Sequence, residues 1–382
     1  MAFELRPYQS DSVSAGVQYL QGSTNENAVI ILPTGAGKSI VIANILAPLK
    51  GKTVVFQPSK EILEQNYEKY TKYGKASIYS ASAGEKRIDQ VTFCTIGSVI
   101  NKKHLFAGTD YILIDECHLV NSDGGMYQEF IKYLPKAKVL GLTATPYRLS
   151  QTSEGPQLTF LTRSTPKIFE KILYYVQNST LFDAGYLAKL VYYSFDVIDR
   201  SKLELNSSGT DFTQASLSRY YKSIDMPSRI VKYAMHILSK KPNLLIFCAL
   251  ITEAKEVVKR IPGAVILTSD TKKEERERIL SKFKKGQIKC LINVGVLTTG
   301  FDYPQLEAVL MARSTMSLSL YYQIVGRAMR IWPTKQDAWF VDLGGNINLF
   351  GKIETMKIQI DSEGRYAIWN NGRQLTNVPL KK

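Results

Sequence analysis

Two parallel α/β domains in tandem are what this 382-residue sequence predicts, and three observations predict them. Short β-branched apolar runs recur along the chain without polar–apolar alternation, which suits strands covered on both faces. Helix-like stretches with apolar residues at three-to-four spacing lie between those runs. Strand alternating with helix implies mostly parallel sheets flanked by helices. Finally, a loop of small residues ending in Lys38-Ser39 follows the first run, as such loops do at the ligand edge of α/β sheets.

The first series of strand-like runs is 28–32, 53–56, 111–114 and 139–142. The second is 244–247, 264–267, 289–292, 308–310 and 339–341. Ile62, Leu63, Tyr67 and Tyr70 mark a helix in the first series, and Ile279, Leu280 and Phe283 one in the second. These patterns predict a first domain over 1–180, a linker over 181–190 and a second domain over 191–382. A polar insertion is expected near 199–225, where Asn206-Ser207-Ser208-Gly209 reads as surface loop. Near the end, 357–360 and 366–369 flank the turn-type sequence Asp361-Ser362-Glu363-Gly364 and predict a β-hairpin.

Composition narrows the function classes. Hydrophobic residues make up 45% and charged residues 22%, which matches a folded globular chain rather than a disordered one. Cys94, Cys117, Cys248 and Cys290 are too scattered for a disulfide framework or a zinc cluster. No apolar run reaches the roughly 18–20 residues that span a bilayer, so no membrane partner is expected. The N-terminus lacks a basic stretch followed by an apolar core, so the expected compartment is the cytoplasm. The formal charge of +15 favours a polyanionic partner such as nucleic acid.

Pro33-Thr34-Gly35-Ala36-Gly37-Lys38-Ser39 stands between a strand-like run and the helix-like 40–46. Small residues let backbone N–H groups turn inward around a phosphate chain, and the helix behind adds its positive end. Lys38 then reaches the β- and γ-phosphates of a nucleotide, and the Ser39 hydroxyl binds Mg²⁺. Leu32 stands where the strict motif has its first glycine. The bland alternative is a glycine-rich turn beside a chance Lys-Ser, which the flanking strand and helix disfavour.

The run 111–114 leads directly into Asp115-Glu116-Cys117-His118. A buried parallel strand delivers its C-terminal residues to the ligand edge of the sheet. There Asp115 can hold Mg²⁺ through water, while Glu116 orients and deprotonates the attacking water. An acidic helix cap uses the same residue types. Together with the phosphate loop, however, the pair points to nucleoside-triphosphate hydrolysis. His118 either bridges the acids to another motif or simply packs.

These residues, in this order, resemble the superfamily-two helicases of the DExH type, most closely the RadD-like and phage-encoded ones. The resemblance covers nearly the whole chain. Arg6-Pro7-Tyr8-Gln9 resembles the adenine-recognition motif, and Pro33–Ser39 resembles motif I. Gln57-Pro58-Ser59 resembles motif Ia, Thr95-Ile96-Gly97-Ser98 motif Ib, and Asp115–His118 motif II. Thr143-Ala144-Thr145-Pro146 resembles motif III, and Phe247 lies in a run like motif IV. Val296-Leu297-Thr298-Thr299-Gly300-Phe301-Asp302 resembles motif V, and Gln323-Ile324-Val325-Gly326-Arg327-Ala328-Met329-Arg330 motif VI.

The resemblance implies two RecA-like domains with an ATP cleft between them, ATP and Mg²⁺ as cofactors, and hydrolysis coupled to movement along nucleic acid. Arg6 and Gln9 would bind the adenine, and Gly300 and Asp302 would approach the ribose or phosphates. Arg327 and Arg330 would stabilise charge at the γ-phosphate. His118, Thr143, Thr145 and Gln323 would couple the site to the strand. Pro58, Ser59, Thr95, Gly97, Phe247 and Thr298 would hold the phosphodiester backbone, without reading bases. The expected partner is single-stranded or forked DNA, with RNA as the alternative, together with a replication or repair protein. A further alternative is a non-stepping ATPase subunit of a larger machine. A monomer in a bacterial cell or phage-infected host is expected, with 3′→5′ polarity.

Overall fold

The computed structural model describes residues 4–24, 26–152, 155–298 and 300–379. The chain divides into two compact units: Met1–Arg148, Thr159–Gln177 and Ile360–Tyr366 in one, and Leu149–Leu158, Asn178–Gln359 and Ala367–Lys382 in the other.

The first unit contains β1 (Ala28–Ile31), β2 (Thr53–Phe56), β3 (Ser77–Ser80), β4 (Glu85–Lys86), β5 (Val91–Cys94), β6 (Tyr111–Asp115) and β7 (Lys138–Thr143). After a two-stranded sheet of β8 (Tyr147–Thr152) and β9 (Gly155–Phe160) comes β10 (Lys171–Tyr175). The main sheet has the order β10-β1-β7-β6-β2-β5-β3-β4. Its pairings are parallel except for β3 with β4. Helices α1 (Pro7–Gln21), α2 (Lys38–Leu46), α3 (Lys60–Tyr70), α4 (Ile96–Val99) and α5 (Met126–Tyr133) belong to this unit.

Local chemistry sets these boundaries. Pro7 opens α1 at a position where a missing N–H costs nothing, and the Gln9 side chain accepts from the Arg6 N–H. Ser59 caps α3 by accepting from the Ile62 N–H. Strands β1, β2 and β5 are buried at every position, which explains why they carry no alternation.

The second unit is built on a six-stranded parallel sheet. Its strands are β11 (Leu190–Ser194), β12 (Leu244–Cys248), β13 (Val265–Leu267), β14 (Cys290–Asn293), β15 (Ala308–Ala312) and β16 (Ala338–Asp342). Their order is β11-β16-β15-β12-β14-β13. The helices are α6 (Asn178–Asp183), α7 (Gln214–Ser223), α8 (Met226–Leu238), α9 (Ile251–Arg260), α10 (Lys273–Lys284), α11 (Leu318–Gly326) and α12 (Asn346–Phe350). One face of the sheet is a core in which Leu244, Ile246, Ile292 and Leu310 meet Ile230, Ala234 and Val257 from α8 and α9. β17 (Lys357–Ile360), β18 (Tyr366–Asn370) and β19 (Arg373–Gln374) form a three-stranded sheet. Tyr366 stacks on Phe160 and meets Tyr175 edge-on, so its ring is committed to packing.

Ser207 and Ser208 of the polar stretch are exposed, while its flanks are anchored. Leu203 and Phe212 are buried. Arg200 donates to Gly344 O at 3.0 Å and Thr315 O at 2.8 Å, beyond the ends of β16 and β15. A polar composition conceals this packing because the segment is held by hydrogen bonds as well as by apolar area.

Glu253 gives one prediction about stability. It lies on α9 and is 5% exposed. Burial pushes its carboxyl up to about 8, outweighing the pull of the Leu250 and Ala249 N–H groups and of Arg313. Its ordinary value is 4.5, so between pH 4.5 and about 8 the unfolded chain releases a proton that the folded chain keeps. Stability therefore falls as pH rises through that window. Glu253→Gln removes this loss. Thermal unfolding at pH 8 is expected to show a gain in Tm, at roughly 2–4 °C per kcal/mol, that shrinks toward zero at pH 5.

Candidate nucleotide site

In the first unit, β7 lies between β1 and β6, with Ile31 opposite Thr143 and Asp115 opposite Leu142. The phosphate loop, Thr143 and the acidic pair therefore leave the same edge of the sheet, side by side. Pro33, Thr34, Gly35, Ala36 and Gly37 form the loop between β1 and α2, and Lys38 and Ser39 open the helix. Gly37 is required twice over. Its φ is +82°, and an added Cβ would stand 2.6 Å from Gln9 Nε2.

Gln9 is 4% exposed and ties this loop down. Its Nε2 donates to Ala36 O at 2.8 Å and its Oε1 accepts from Arg6 N at 3.0 Å. Tyr8 donates to the same Ala36 carbonyl at 2.9 Å. The amide expected to face an adenine thus has both ends engaged by the chain itself.

The acids and the lysine form one connected group. Lys38 Nζ stands 3.1 Å from Glu116 Oε1, and His118 Nδ1 stands 3.3 Å from Glu116 Oε2. The same His118 nitrogen is 2.9 Å from Thr143 Oγ1 and 3.1 Å from Thr145 Oγ1. His118 is therefore the bridge from the acidic pair to the Thr143–Thr145 segment. Glu116 reaches Lys38 from a left-handed backbone, φ +50° and ψ +49°, a conformation that costs a non-glycine residue about 1 kcal/mol or more.

Asp115 takes the other direction. It accepts from the Glu116 N–H at 3.0 Å and from Asn66 Nδ2 at 3.1 Å. Burial, and then the charge of Glu116, push its carboxyl up to about 6. Burial also presses Glu116 upward, but Lys38 and His118 together outweigh it and hold that carboxylate well below its ordinary range. The two neighbouring acids are thereby set apart in acidity.

Asn66 is a site residue that the motif reading missed. Its amide donates to Gln57 Oε1 at 2.9 Å as well as to Asp115, so it fixes the Asp115 carboxylate from α3. One signal was present, because Asn66 lies three positions after Leu63 on the buried face of that helix. Among the described residues no group of three or more His, Cys, Asp or Glu is placed so that it could hold a metal ion by itself. The donors on offer are hard oxygens, the Asp115 carboxylate and the Ser39 hydroxyl. That set suits Mg²⁺, which keeps several waters and takes one or two protein oxygens plus phosphates.

In the second unit a separate group forms. Arg327 donates to Phe301 O and, at 2.7 Å, to Thr298 O. Arg330 Nε stands 3.3 Å from Asp302 Oδ1. Gly300 turns between Thr298 and Asp302 with φ +73°. Gln323 precedes this group on α11. Thr299 lies outside the described residues.

The residues expected at nucleic acid divide. Pro58 and Ser59 stand between β2 and α3, where Ser59 is the helix cap. Thr95 Oγ1 is 2.9 Å from Ser98 Oγ and 3.1 Å from Ser80 Oγ, a chain of hydroxyls at the ends of β3 and β5. A Cβ on the exposed Gly97 would meet nothing within 4 Å. Phe247 is a correction. At 1% exposure in β12, flanked by β14 and β15, its side chain is core and has no surface to offer a strand.

Residues 2–148 match the family described as type III restriction enzyme, res subunit, and residues 229–331 match the helicase conserved C-terminal domain. The chain thus carries these two domains in order, a pairing that supports a superfamily-two helicase. A candidate ATP-dependent helicase of Saccharomyces cerevisiae, IRC3, is 25% identical over 89% of this chain and 51% of its own length. The chain thus spans about half of that relative. The DNA 3′-5′ translocase XPB2 of Sulfurisphaera tokodaii is 24% identical over 86% of this chain and 79% of its own. A DNA-bound type ISP restriction-modification enzyme, LlaBIII, superposes with a TM-score of 0.63 at 15% identity, covering 90% of this chain and 28% of that one. That likeness concerns the fold, tandem RecA-like domains built on mostly parallel sheets. Among the described residues no helix is long and apolar enough to cross a membrane.

Proposed function

We propose that this chain is an ATP-driven DNA motor of the DExH type, hydrolysing ATP to move along or remodel DNA with 3′→5′ polarity. The observation that carries the reading is the linked group Lys38–Glu116–His118–Thr143/Thr145. It joins a phosphate-binding lysine to a carboxylate base, and that base to the segment that follows β7.

An arriving triphosphate replaces Glu116 as the partner of Lys38. The released carboxylate can then orient the attacking water and accept its proton. His118 carries the change in Glu116 to Thr143 and Thr145. Ser39 and Asp115 would hold Mg²⁺, which supplies charge neutralisation at the phosphates when bound. Arg327 and Arg330 would stabilise charge at the γ-phosphate, as the resemblance implies. Ser59, Thr95, Gly97 and Thr298 grip the phosphodiester backbone, and the +15 charge draws the polyanion in. DNA rather than RNA is supported by the named activity of the XPB2 relative.

The test is the ATPase rate measured with single-stranded DNA, duplex, forked DNA and RNA. Single-stranded or forked DNA is expected to stimulate most. Stimulation by RNA alone would overturn the DNA assignment. Binding should also weaken with salt, with a log–log slope of about 0.7 per phosphate contacted and little dependence on base sequence.

A further inference from the structure

The loop between α11 and β16 carries a lysine whose side chain turns back into the protein. Lys335 Nζ donates to Ala328 O at 2.7 Å, to Arg330 O at 2.8 Å and to Pro304 O at 3.4 Å. An ammonium has three N–H donors, and here three carbonyls receive them. Two of those carbonyls belong to the segment bearing Arg327 and Arg330. The third belongs to the turn that follows Asp302.

Three features show that this arrangement is built for position. First, the nearby carboxylates are engaged elsewhere. Lys241 stands 2.6 Å from Asp337 and 3.4 Å from Glu307, so Lys335 spends its charge on backbone carbonyls. Second, holding a charge there is costly, since burial lowers Lys335 to about 8. Third, Lys335 is not simple filler. It borders a cavity of about 670 Å³ shared with Trp332 and Ile331, so the loop is not braced by tight packing on that side. The segments it joins are already in contact through Arg330 with Asp302 and Arg327 with Phe301.

We propose that Lys335 is a positioning residue for hydrolysis. It clasps the end of the arginine segment to the Asp302–Pro304 turn and so fixes where the Arg330 guanidinium stands. This rests on the reading of Arg330 as a transition-state arginine.

The experiment is DNA-stimulated ATP hydrolysis by the full chain, with kcat and KM separated, for Lys335→Met, Arg330→Ala and the double variant. A misplaced catalytic group lowers kcat rather than ATP affinity. Lys335→Met is expected to lose about tenfold in kcat with KM for ATP within about twofold. The double variant should be no slower than Arg330→Ala alone, because both changes remove one contribution. A wild-type kcat in Lys335→Met overturns the clasp, as does a double variant slowed by the full product of the single effects. Arg330→Ala at the wild-type rate would instead sink the arginine reading, and the clasp with it. If Lys335→Met does not unfold cooperatively, Lys335→Gln decides. Its shorter, uncharged amide cannot serve all three carbonyls, so an unchanged kcat there overturns the proposal, whereas a lower kcat at constant KM supports it.

Discussion

Glu116→Gln is expected to bind ATP as tightly as the parent chain and to hydrolyse it about 10²–10⁴-fold more slowly. The amide keeps the size of the carboxylate but cannot accept the proton of the attacking water. Glu116 is engaged by Lys38 at 3.1 Å and by His118 at 3.3 Å. These partners hold it ionised against the pressure of burial, the form a base must have. Removing the negative charge also frees Lys38 for phosphate, so nucleotide affinity should stay level or rise. Equilibrium binding of a fluorescent ATP analogue, beside single-turnover hydrolysis, separates the two effects. Wild-type hydrolysis in this variant would remove Glu116 from the role of base.

Arg330→Ala is expected to slow hydrolysis by about 10³-fold or more while changing ATP affinity far less. Guanidinium groups act on charge that develops at the γ-phosphate only in the transition state, so their loss appears in kcat. Arg330 is paired with Asp302 at 3.3 Å, on a segment whose neighbour Arg327 is fixed to the Phe301 and Thr298 carbonyls. A normal rate in Arg330→Ala would show that the second unit does not complete the site.

Much of the fold was legible because its central strands are buried on both faces and therefore read as continuous apolar runs. β1, β2, β12 and β15 are examples. Strands that depart from that physics were hidden. β3 is Ser-Ile-Tyr-Ser, and its buried Ser77 is paired with Thr92 of β5 through a 3.2 Å hydroxyl contact, so polar residues mask a buried position. β10 and β11 lie at sheet edges with half-exposed middles, which blurs their pattern. At the site, loop and strand-end chemistry announced Lys38, Asp115 and Glu116, because such residues are set by local spacing. Asn66 and Lys335 act across the fold, onto Asp115 and onto the Arg330 carbonyl, and no local spacing reports such a contact. Phe247 shows the reverse error, since its position in a motif-like strand suggested a strand contact that burial forbids.

The account stands most directly on a triplex-displacement assay, in which a third strand is removed from DNA only by a protein that steps along it. With ATP and DNA of the preferred form, the parent chain is expected to release the third strand, and Glu116→Gln is expected to bind the same DNA without releasing it. DNA-stimulated ATP turnover by the parent chain with the third strand left in place would contradict a motor and identify a clamp.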